Sequence, residues 1–476
     1  MKYLSVIFTG IILALLLTSA KPEKGYNRAQ FHFTTETGIL PSPNGLVFYD
    51  GEYHIFYQYF PNNGDDNRQW GHAISENLIN WKHYPVVFSA GFDSNNMENC
   101  RILSGSALVD EKNILRKQNG NEKTLLMFYA GLNCGIRIAY STDKGMTWEN
   151  FERNPVIPYN EIDDMRDPKV FWYEPTQKWI MTLSREIEDN DNSRVVSIYS
   201  SNDLINWEWK SNIPDFNENS DLVSIKVTNR PDEIKWVLFG KDGSYIIGDF
   251  DGETFSPETE KVEIYYGENY IAPQTWNNIP AEDGRTIQAA WIGGGYNDTD
   301  FNGQMTIPIE LNITKFNSGY KLTRLPVKEI ALLHGKHYEW TNKNMIPGIN
   351  DNPLKKIKGT CFHIIAEFDV KTSNNFGFII RYGKKDNGTE IIYNVGRETL
   401  SIFETTAHVP LVDNKVSFEI LIDHTSIEIF ANGGQVAITR NFAPAEGTDK
   451  YVLTTIGGEL LIKQMDIYAI KTALNK

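Results

Sequence analysis

The stretch "STDKGMTW" at residues 141–148 is one copy of a short unit that recurs along the sequence and decides the predicted fold. "SENLINW" ends at Trp81 and "SNDLINW" ends at Trp207, so successive copies end about 60 residues apart. Self-similarity at this interval is typical of proteins built from repeated structural units.

The residues inside this unit predict its local structure. The side chains of Ser141 and Asp143 can hydrogen-bond the backbone of a turn, and Gly145 can supply a positive φ. Trp148 would then pack beneath the turn. We therefore expect the three repeated tryptophans to pack the structural units rather than to contact a ligand.

From Phe31 to about Leu325 the sequence is typical of short strands. Residues 45–60, "GLVFYDGEYHIFYQYF", are two apolar runs broken at Asp50-Gly51, which predicts a β-hairpin. About 300 residues at about 60 per unit correspond to five blades of four strands around an axis. The fold class predicted is therefore all-β, beginning with a five-bladed β-propeller over residues 28–330.

A second region follows a short predicted linker helix within residues 325–336, "LPVKEIALLHGK". Beyond Glu339 alternating strands and hairpin turns return, as in "CFHIIAEFDV" and "SFEILIDHTSIEIFANGG", which predicts a β-sandwich over residues 339–476. Ionisable residues are scattered in this region. We expect it to support the propeller or contact carbohydrate, without chemistry of its own.

The N-terminus predicts export. Lys2 precedes an almost wholly apolar run at residues 4–17, and Ala20 ends a small-residue cleavage site. The alternative is a membrane anchor, but the run is shorter than the ~20 residues that span a bilayer. Residues 1–20 are therefore predicted to be a signal peptide of a periplasmic or extracellular protein, with no membrane insertion. The net charge of -15 argues against nucleic acid as a partner.

The three cysteines, Cys100, Cys134 and Cys361, are an odd number without metal-type spacing, which excludes a disulfide framework or a cysteine zinc site. Cys100 and Cys134 could pair in an oxidising compartment, but three buried thiols are the favoured expectation.

A propeller places its ligand where the innermost strands meet at the axis. Three polar candidates fall at the starts of such strands: the turn at Ser42, Asp167 in "MRDPKVFW", and Glu218 in "FNENSDLV". By itself, Asp167 followed by Pro168 is more typical of an ordinary turn than of a ligand site.

A series of motifs in a fixed order along the chain bears on the role of these three candidates. "RAQFHFTTETGILPSPNG" at residues 28–45 is followed by "HIFYQYFP", "WGHAISENLINW", "SGSALVD", "RDPKVFW", "IGDFDG", "APQTWNNIP", "MTIPIEL" and "SIEIFANGG". In these motifs the chain resembles glycoside hydrolase family 32, the fructan hydrolases and invertases. The resemblance covers nearly all of the sequence after the predicted signal peptide, and it implies a five-bladed propeller followed by a β-sandwich.

The resemblance also implies roles for individual residues. Family members are retaining glycosidases, in which one carboxylate attacks the anomeric carbon and a second acts as acid and base. Glu218 matches the acid/base, Asp167 the transition-state stabiliser, and Ser42 the nucleophile position. The positions that match substrate-binding motifs are Gln58, Arg166, Ser104 and Asn44. The implied partner is a β-fructoside oligo- or polysaccharide, and the family's chemistry uses no metal or organic cofactor.

Departures from the family pattern cluster at sugar-facing positions. Residues 39–42 replace Trp, Met, Asn and the nucleophilic Asp, and the loop 62–69 lacks a subsite Trp. Asn269 and Ile271 replace an Asp and a Tyr. A serine without an activating base is a poor nucleophile.

Two hypotheses follow. The chain is either a fructan hydrolase with altered chemistry at Ser42, or a non-catalytic carbohydrate-binding protein on a glycosidase scaffold. In the first case an inverting route is geometrically possible if two carboxylates lie ~6.5–9.5 Å apart.

Overall fold

The computed structural model describes residues 28–61, 68–88, 100–160, 164–187, 193–214, 216, 221–263, 265–267, 269–294, 301–348, 352–384 and 386–474. The predicted signal peptide and Glu218 lie outside these residues. The regular structure of the described residues consists of strands and two 3-10 helices, Glu174–Thr176 and Lys328–Leu333. The predicted all-β class is confirmed, and the second 3-10 helix occupies the predicted linker.

The first part of the described chain forms three separate four-stranded antiparallel sheets, preceded by a two-residue strand. In chain order the strands are β1 (Gly38–Ile39), β2 (Pro43–Tyr49), β3 (Glu52–Tyr59), β4 (Gln69–Ser75), β5 (Lys82–Phe88), β6 (Arg101–Asp110), β7 (Thr124–Leu132), β8 (Gly135–Ser141), β9 (Glu149–Asn150), β10 (Met165–Tyr173), β11 (Lys178–Ile187), β12 (Ser193–Ser201) and β13 (Glu208–Ile213). Blade 1 is β2–β5, blade 2 is β6–β9 and blade 3 is β10–β13.

Blades 4 and 5 belong to one nine-stranded sheet, because a single parallel pair, Val227 with Ile313, joins them. The strands of this part are β14 (Asp221–Val227), β15 (Arg230–Phe239), β16 (Tyr245–Phe250), β17 (Phe255–Pro257), β18 (Tyr265–Tyr266), β19 (Tyr270–Thr275), β20 (Thr286–Ile292), β21 (Phe301–Asn302), β22 (Gln304–Met305), β23 (Ile309–Phe316) and β24 (Gly319–Pro326). Blade 4 is β14–β17, and blade 5 is β19, β20, β23 and β24, with β22 paired to β20. The prediction of five blades is confirmed.

The remaining strands form two packed sheets, as predicted for a β-sandwich. They are β25 (His334–Met345), β26 (Phe362–Asp369), β27 (Asn375–Tyr382), β28 (Thr389–Asn394), β29 (Thr399–Ile402), β30 (Thr405–His408), β31 (Lys415–Ile422), β32 (Ser426–Ala431), β33 (Val436–Asn441), β34 (Lys450–Ile456) and β35 (Leu460–Ile470). One sheet has the order β30-β29-β28-β27-β34, and the other has the order β18-β33-β32-β31-β26-β35-β25. The second sheet thus includes β18, which comes from the end of blade 4.

The repeated turn has the predicted local structure. Ser141 Oγ accepts a hydrogen bond from the Gly145 N–H at 2.8 Å, and Gly145 has a φ of +85°. The Trp148 indole N–H donates to the Gly145 carbonyl at 3.1 Å. The same bond closes the other two copies, from Trp81 to the Leu78 carbonyl at 3.1 Å and from Trp207 to the Leu204 carbonyl at 3.0 Å. The hairpin turn at Asp50-Gly51 also has the positive φ angles that favour these two residues.

A buried charged group, which we name the junction cluster, joins the N-terminal segment to the sandwich. It consists of His32, Asp423 and Glu428. The His32 ring donates from Nδ1 to Asp423 and from Nε2 to Glu428, each at 2.8 Å, and the side chains are at most 1% exposed. From the sequence, the ionisable residues of the sandwich are expected to be scattered, but Asp423 and Glu428 are grouped around His32. The group holds the N-terminal segment against the sandwich, which agrees with the expected supporting role.

The ionisation of the junction cluster follows from its geometry. Burial alone lowers the pKa of His32, but the hydrogen bonds and charges of Asp423 and Glu428 outweigh it and raise the pKa to about 9. Burial raises the pKa of Asp423, yet the bonds from His32 and from nearby backbone N–H groups lower it to about 2. The cluster is therefore a protonated imidazole held between carboxylates at neutral pH.

Cys100 and Cys134 form a disulfide with a Cα–Cα distance of 5.6 Å, and Cys361 is a buried free thiol. The expectation of three thiols is therefore wrong for the first two. The pair lies just before β6 and in the turn between β7 and β8, which a residue spacing of 34 does not reveal. Gly131 adjoins both sulfurs, and a Cβ there would lie 2.2 Å from Cys134 Sγ.

Candidate functional site

The innermost strands of the five blades form a ring. Strand β2 contacts β6 and β19, β6 contacts β10, and β19 contacts β14. Four of the five inner strands have a β-bulge near their start, and each bulge lies at or beside a residue of the sequence motifs: Pro43/Gly45, Ile102/Gly105, Arg166/Lys169 and Ile271/Gln274. Bulges are enriched next to active sites because they redirect side chains. The repeated bulges mark this part of the ring as the candidate site.

Ser42 lies in the turn between β1 and β2 and is partly buried. Its carbonyl accepts the Gln58 N–H at 2.9 Å, so two of the sequence-predicted positions are adjacent. Ser42 Oγ lies 3.4 Å from the side-chain amide of Asn44. Among the described residues, no hydrogen bond joins Ser42 Oγ to a carboxylate or an imidazole.

Asn44 is fully buried in blade 1. In the amide orientation that satisfies both of its polar atoms, it donates to the Pro43 carbonyl at 2.9 Å and accepts from the Trp70 indole at 3.1 Å. Its side chain thus holds the start of β2 in place. Gln58 is partly exposed on β3. Of Asn44 and Gln58, therefore, Gln58 is the one that can reach a ligand.

Asp167 occupies the bulge at the start of β10 with a φ of +55°, a conformation that few residues other than glycine adopt. Its N–H donates to Ser104 Oγ on β6 at 3.1 Å, and Asp167 is 7% exposed. Arg166 makes a two-pronged ion pair with Asp164, at 3.0 and 2.7 Å. The structure therefore brings Asp167, Ser104 and Arg166 together at the adjoining ends of blades 2 and 3.

Three buried residues that sequence reasoning did not select lie beside this group, and we name them the axial cluster: Lys169, Asp221 and Thr275. Lys169 Nζ lies 2.8 Å from the Thr275 carbonyl, 3.0 Å from Thr275 Oγ1 and 3.1 Å from Asp221 Oδ1. Asp221 also accepts the Thr275 N–H. The cluster joins blades 3, 4 and 5. The available sequence signal is that Lys169 lies in the same motif as Asp167, "RDPKVFW".

Asn277 and Gln274 complete the connections around the ring. Asn277 Nδ2 donates to the carbonyls of Ala107 and Val170 at 2.8 and 3.1 Å, which ties blade 5 to blades 2 and 3. Gln274 Nε2 donates to the Gly105 carbonyl at 3.0 Å. The motif "APQTWNN" therefore supplies bonds that close the propeller, besides its place at the candidate site.

Asn269 and Ile271, where the sequence predicts departures from the family pattern, have packing roles. Asn269 donates to the Gly293 carbonyl at 2.7 Å and accepts the Asn441 N–H at 3.1 Å, which links blade 5 to the sandwich. Ile271 covers Gly293, where a Cβ would lie 2.4 Å from Ile271 Cδ1. Ile271 thus contributes an apolar side chain, and Asn269 a bond to the sandwich, beside β19.

One cavity among the described residues lies away from this ring. It has a volume of about 420 Å³ and is lined mainly by the N-terminal segment, blade 1 and the C-terminal segment, including Phe33, Trp81, His83 and Leu474. We assign the site by the bulges and by Asp167, because a binding site needs convergent polar groups as well as volume. In the described part of the chain, no helix is long and apolar enough to cross a membrane.

The fold and the ring of bulged strands define the class of this protein: a β-propeller followed by a β-sandwich, with a polar site at the propeller axis. The family model described as "Glycosyl hydrolases family 32 N-terminal domain" matches residues 32–326, and "Glycosyl hydrolases family 32 C terminal" matches residues 329–469. The chain belongs to glycosyl hydrolases family 32.

Individual relatives support this membership. Levanase of Bacillus subtilis (strain 168) is 32% identical over 98% of this chain and 74% of its own length. Extracellular exo-inulinase of Aspergillus awamori is 26% identical, covering 94% of this chain and 95% of its own length. The crystal structure of exo-inulinase from Aspergillus awamori superposes with a TM-score of 0.84 at 23% identity, covering 96% of this chain and 100% of that chain.

A variant of fructan 1-exohydrolase IIa from Cichorium intybus in complex with 1-kestose superposes with a TM-score of 0.76 at 20% identity, covering 94% of this chain and 98% of that chain. At these identities the structural matches support the fold alone.

Proposed function

We propose that this chain recognises β-fructosides at the propeller axis and does not hydrolyse them by the double-displacement route of its family. The observation that carries the proposal is Ser42, which occupies the position matched to the nucleophilic carboxylate. The proposed ligand follows from family membership, since the relatives include levanase and exo-inulinase.

Double displacement requires a nucleophile that attacks the anomeric carbon and leaves again. A serine hydroxyl needs a neighbouring base to do this, and no described side chain supplies one. His32, the nearest histidine in sequence, uses both ring nitrogens in the junction cluster. Loss of a covalent nucleophile typically costs on the order of 10⁴- to 10⁶-fold in rate.

The binding part of the proposal rests on the groups that remain. Asp167 is held in a strained backbone conformation at the ring, and such strain persists where the surrounding structure maintains it, often at functional sites. Gln58 adjoins Ser42 and is partly exposed, and Arg166 is fixed by Asp164. Carboxylate, amide and guanidinium groups together can bind several sugar hydroxyls.

A second candidate function is slow hydrolysis by a different route. The observation that favours it is the retention of Asp167 in the family's position, with Glu218 proposed as the acid. In an inverting reaction a water would occupy the space left by the shorter side chain of Ser42 and attack the anomeric carbon. A second carboxylate would accept the proton of this water, and Glu218 would protonate the leaving oxygen. The anomeric configuration of the released fructose distinguishes this route from the family's retaining route.

The test combines turnover and binding. Purified protein is incubated with sucrose, inulin and levan, released sugar is measured, and binding of 1-kestose is followed by calorimetry. We expect binding without turnover at ordinary enzyme rates. Turnover at such rates would refute the proposal, and absence of both would place the ligand outside the fructans.

Two variants at one position sharpen this test. Ser42→Asp restores a carboxylate, and we expect it to raise hydrolysis if the rest of the site is intact. Ser42→Ala is the matched control, because it alters the same position without adding a nucleophile. No gain in Ser42→Asp would mean that the changes at Ile39, Pro41, Asn269 and Ile271 have removed the subsite as well.

We also propose export with cleavage after Ala20, and a division of the mature chain into a propeller over residues 28–330 and a sandwich over residues 339–476. Mass spectrometry of the secreted protein tests the first part, because the mature chain should begin at Lys21. Limited proteolysis tests the second, since cleavage between the two units should leave fragments with these limits.

A further inference from the structure

Resting on the proposed function, we propose that Lys169 is a positioning residue that holds Asp167 in its ligand-binding place through the axial cluster. Asp167 lies in a bulge, where the ladder between β10 and β11 is interrupted from Arg166 to Lys169. The regular pairing of the sheet therefore does not fix Asp167. Its position depends on other contacts, among them those made at either end of the bulge.

On the N-terminal side of the bulge, the Asp167 N–H is bonded to Ser104 Oγ of blade 2. On the C-terminal side, Lys169 makes three contacts through one nitrogen, to Asp221 and to two oxygens of Thr275. The two contacts to Thr275 are hydrogen bonds, and the contact to Asp221 Oδ1 is an ion pair. The bulge is thus held from blade 2 on one side and from blades 4 and 5 on the other.

The axial cluster is buried, with the side chains of Lys169 and Asp221 6% and 2% exposed. Replacing a buried ion pair by uncharged groups of similar volume is often neutral for stability, whereas removing one partner is destabilising. A pair that served stability alone would therefore be replaceable. A pair that positions Asp167 would not be replaceable without moving the carboxylate.

This difference defines the variants. Lys169→Met leaves Asp221 without its cation and is expected to lower the melting temperature. Lys169→Met combined with Asp221→Asn removes both charges, while the new amide oxygen can still accept the Thr275 N–H. We expect the double variant to melt within about 3 °C of the wild type.

Lys235→Met is the matched control. The Lys235 side chain is buried to a similar degree, 8% exposed against 6% for Lys169, and pairs with Asp249 and Glu258 within blade 4 and its outer edge. It lies outside the axial ring. We expect its loss to leave 1-kestose affinity unchanged.

Two measurements are made on the wild type and the variants: 1-kestose affinity by calorimetry and the position of Asp167 by crystallography. For the double variant we expect affinity about tenfold weaker and a displacement of the Asp167 carboxylate of about 0.5 Å or more. Wild-type affinity together with an unmoved Asp167 would overturn the positioning role. It would do so even if the single Lys169 variant failed to fold.

The two readouts separate this inference from the proposed function. If the wild type does not bind the fructan but Asp167 moves in the double variant, the positioning role stands and the proposed ligand fails. If the wild type binds and the double variant binds equally, the proposed function stands and the positioning role fails. A double variant that loses affinity while Asp167 stays in place would also refute positioning.

Discussion

The axial cluster and the junction cluster are both buried groups of a cation between oxygen acceptors, yet they occupy different surroundings. The axial cluster joins inner strands of three blades beside the bulge that carries Asp167. The junction cluster joins His32 to carboxylates 391 and 396 residues further along the chain. Buried charge by itself therefore indicates a structural constraint, and only its surroundings indicate a role in ligand binding.

The largest effect is expected from breaking the junction cluster. His32→Ala leaves Asp423 and Glu428 buried without a cation, which should lower the free energy of unfolding by about 3–5 kcal/mol. Urea denaturation measures this change, and 1-kestose affinity should stay within about twofold of the wild type. His337→Ala is the control, because His337 is exposed and its pair with Asp466 should contribute at most about 1 kcal/mol. An unchanged urea midpoint for His32→Ala would contradict the importance of the cluster.

The same cluster predicts an alkaline loss of stability. Because the folded-state pKa of His32 is about 9 and its ordinary value is 6.5, the folded protein binds the proton more tightly. The contribution is complete below pH 6.5 and is lost as the pH rises through 9, a change of roughly 3 kcal/mol. Urea midpoints measured from pH 6 to 10 should fall in the wild type.

His32→Ala is the control for this pH series, because groups outside the junction cluster titrate equally in both proteins. The difference in unfolding free energy between the two should shrink as the pH rises. A constant difference would mean that His32 is not protonated in the folded state.

The next effect is expected in the region of the axial ring, from loss of the disulfide between Cys100, just before β6, and Cys134. Cys100→Ser with Cys134→Ser should lower the free energy of unfolding by about 3 kcal/mol, since the bond closes a loop of moderate length. Because Cys100 precedes the strand that carries Ser104, 1-kestose affinity should also fall. Cys361→Ser is the control without a disulfide to lose, and the serine hydroxyl can still donate to Asp423 as the thiol does. Thiol titration of the denatured wild type should find one thiol, and a count of three would contradict the pairing.

The smallest effect on stability and affinity is expected at Gln58, the partly exposed residue on β3 beside Ser42. Gln58→Ala removes a partly exposed amide that supports no described structural hydrogen bond through its side chain, so stability should be unchanged. One lost hydrogen bond to a sugar should weaken 1-kestose binding by about 1 kcal/mol, or about fivefold. Gln118→Ala, in the loop between β6 and β7, should leave affinity unchanged. Equal affinities of all three proteins would remove Gln58 from the site.

Much of the fold could be predicted because its signals are local. The turn at residues 141–148 contains its own donors, acceptors and glycine, so its structure is determined within eight residues. Asp50-Gly51 specifies a hairpin in the same way. Repetition of such units at a constant interval then indicates the propeller.

The site could be predicted in part. Ser42, Asp167 and Ser104 were selected because they lie in ordered motifs, and the structure places each of them at a bulged end of an inner strand or in the adjoining turn. Lys169 was not selected, although it is in the same motif, because its partners are 52 and 106 residues away on other blades. Asn44 matched a substrate-binding position, but in this chain it is fully buried, and its side chain bonds to the Pro43 carbonyl and the Trp70 indole.

The sequence by itself determined the all-β class, the turns, the family motifs and the presence of serine at position 42, since each depends on residue identity and short spacing. Only the tertiary structure decided which distant groups meet. The pairing of Cys100 with Cys134, the charge on His32 between two carboxylates, and the attachment of the Asp167 bulge to Thr275 all depend on how blades and sandwich pack. Burial then sets the energetic weight of these contacts, because a charge or polar group removed from water must find its partner within the fold.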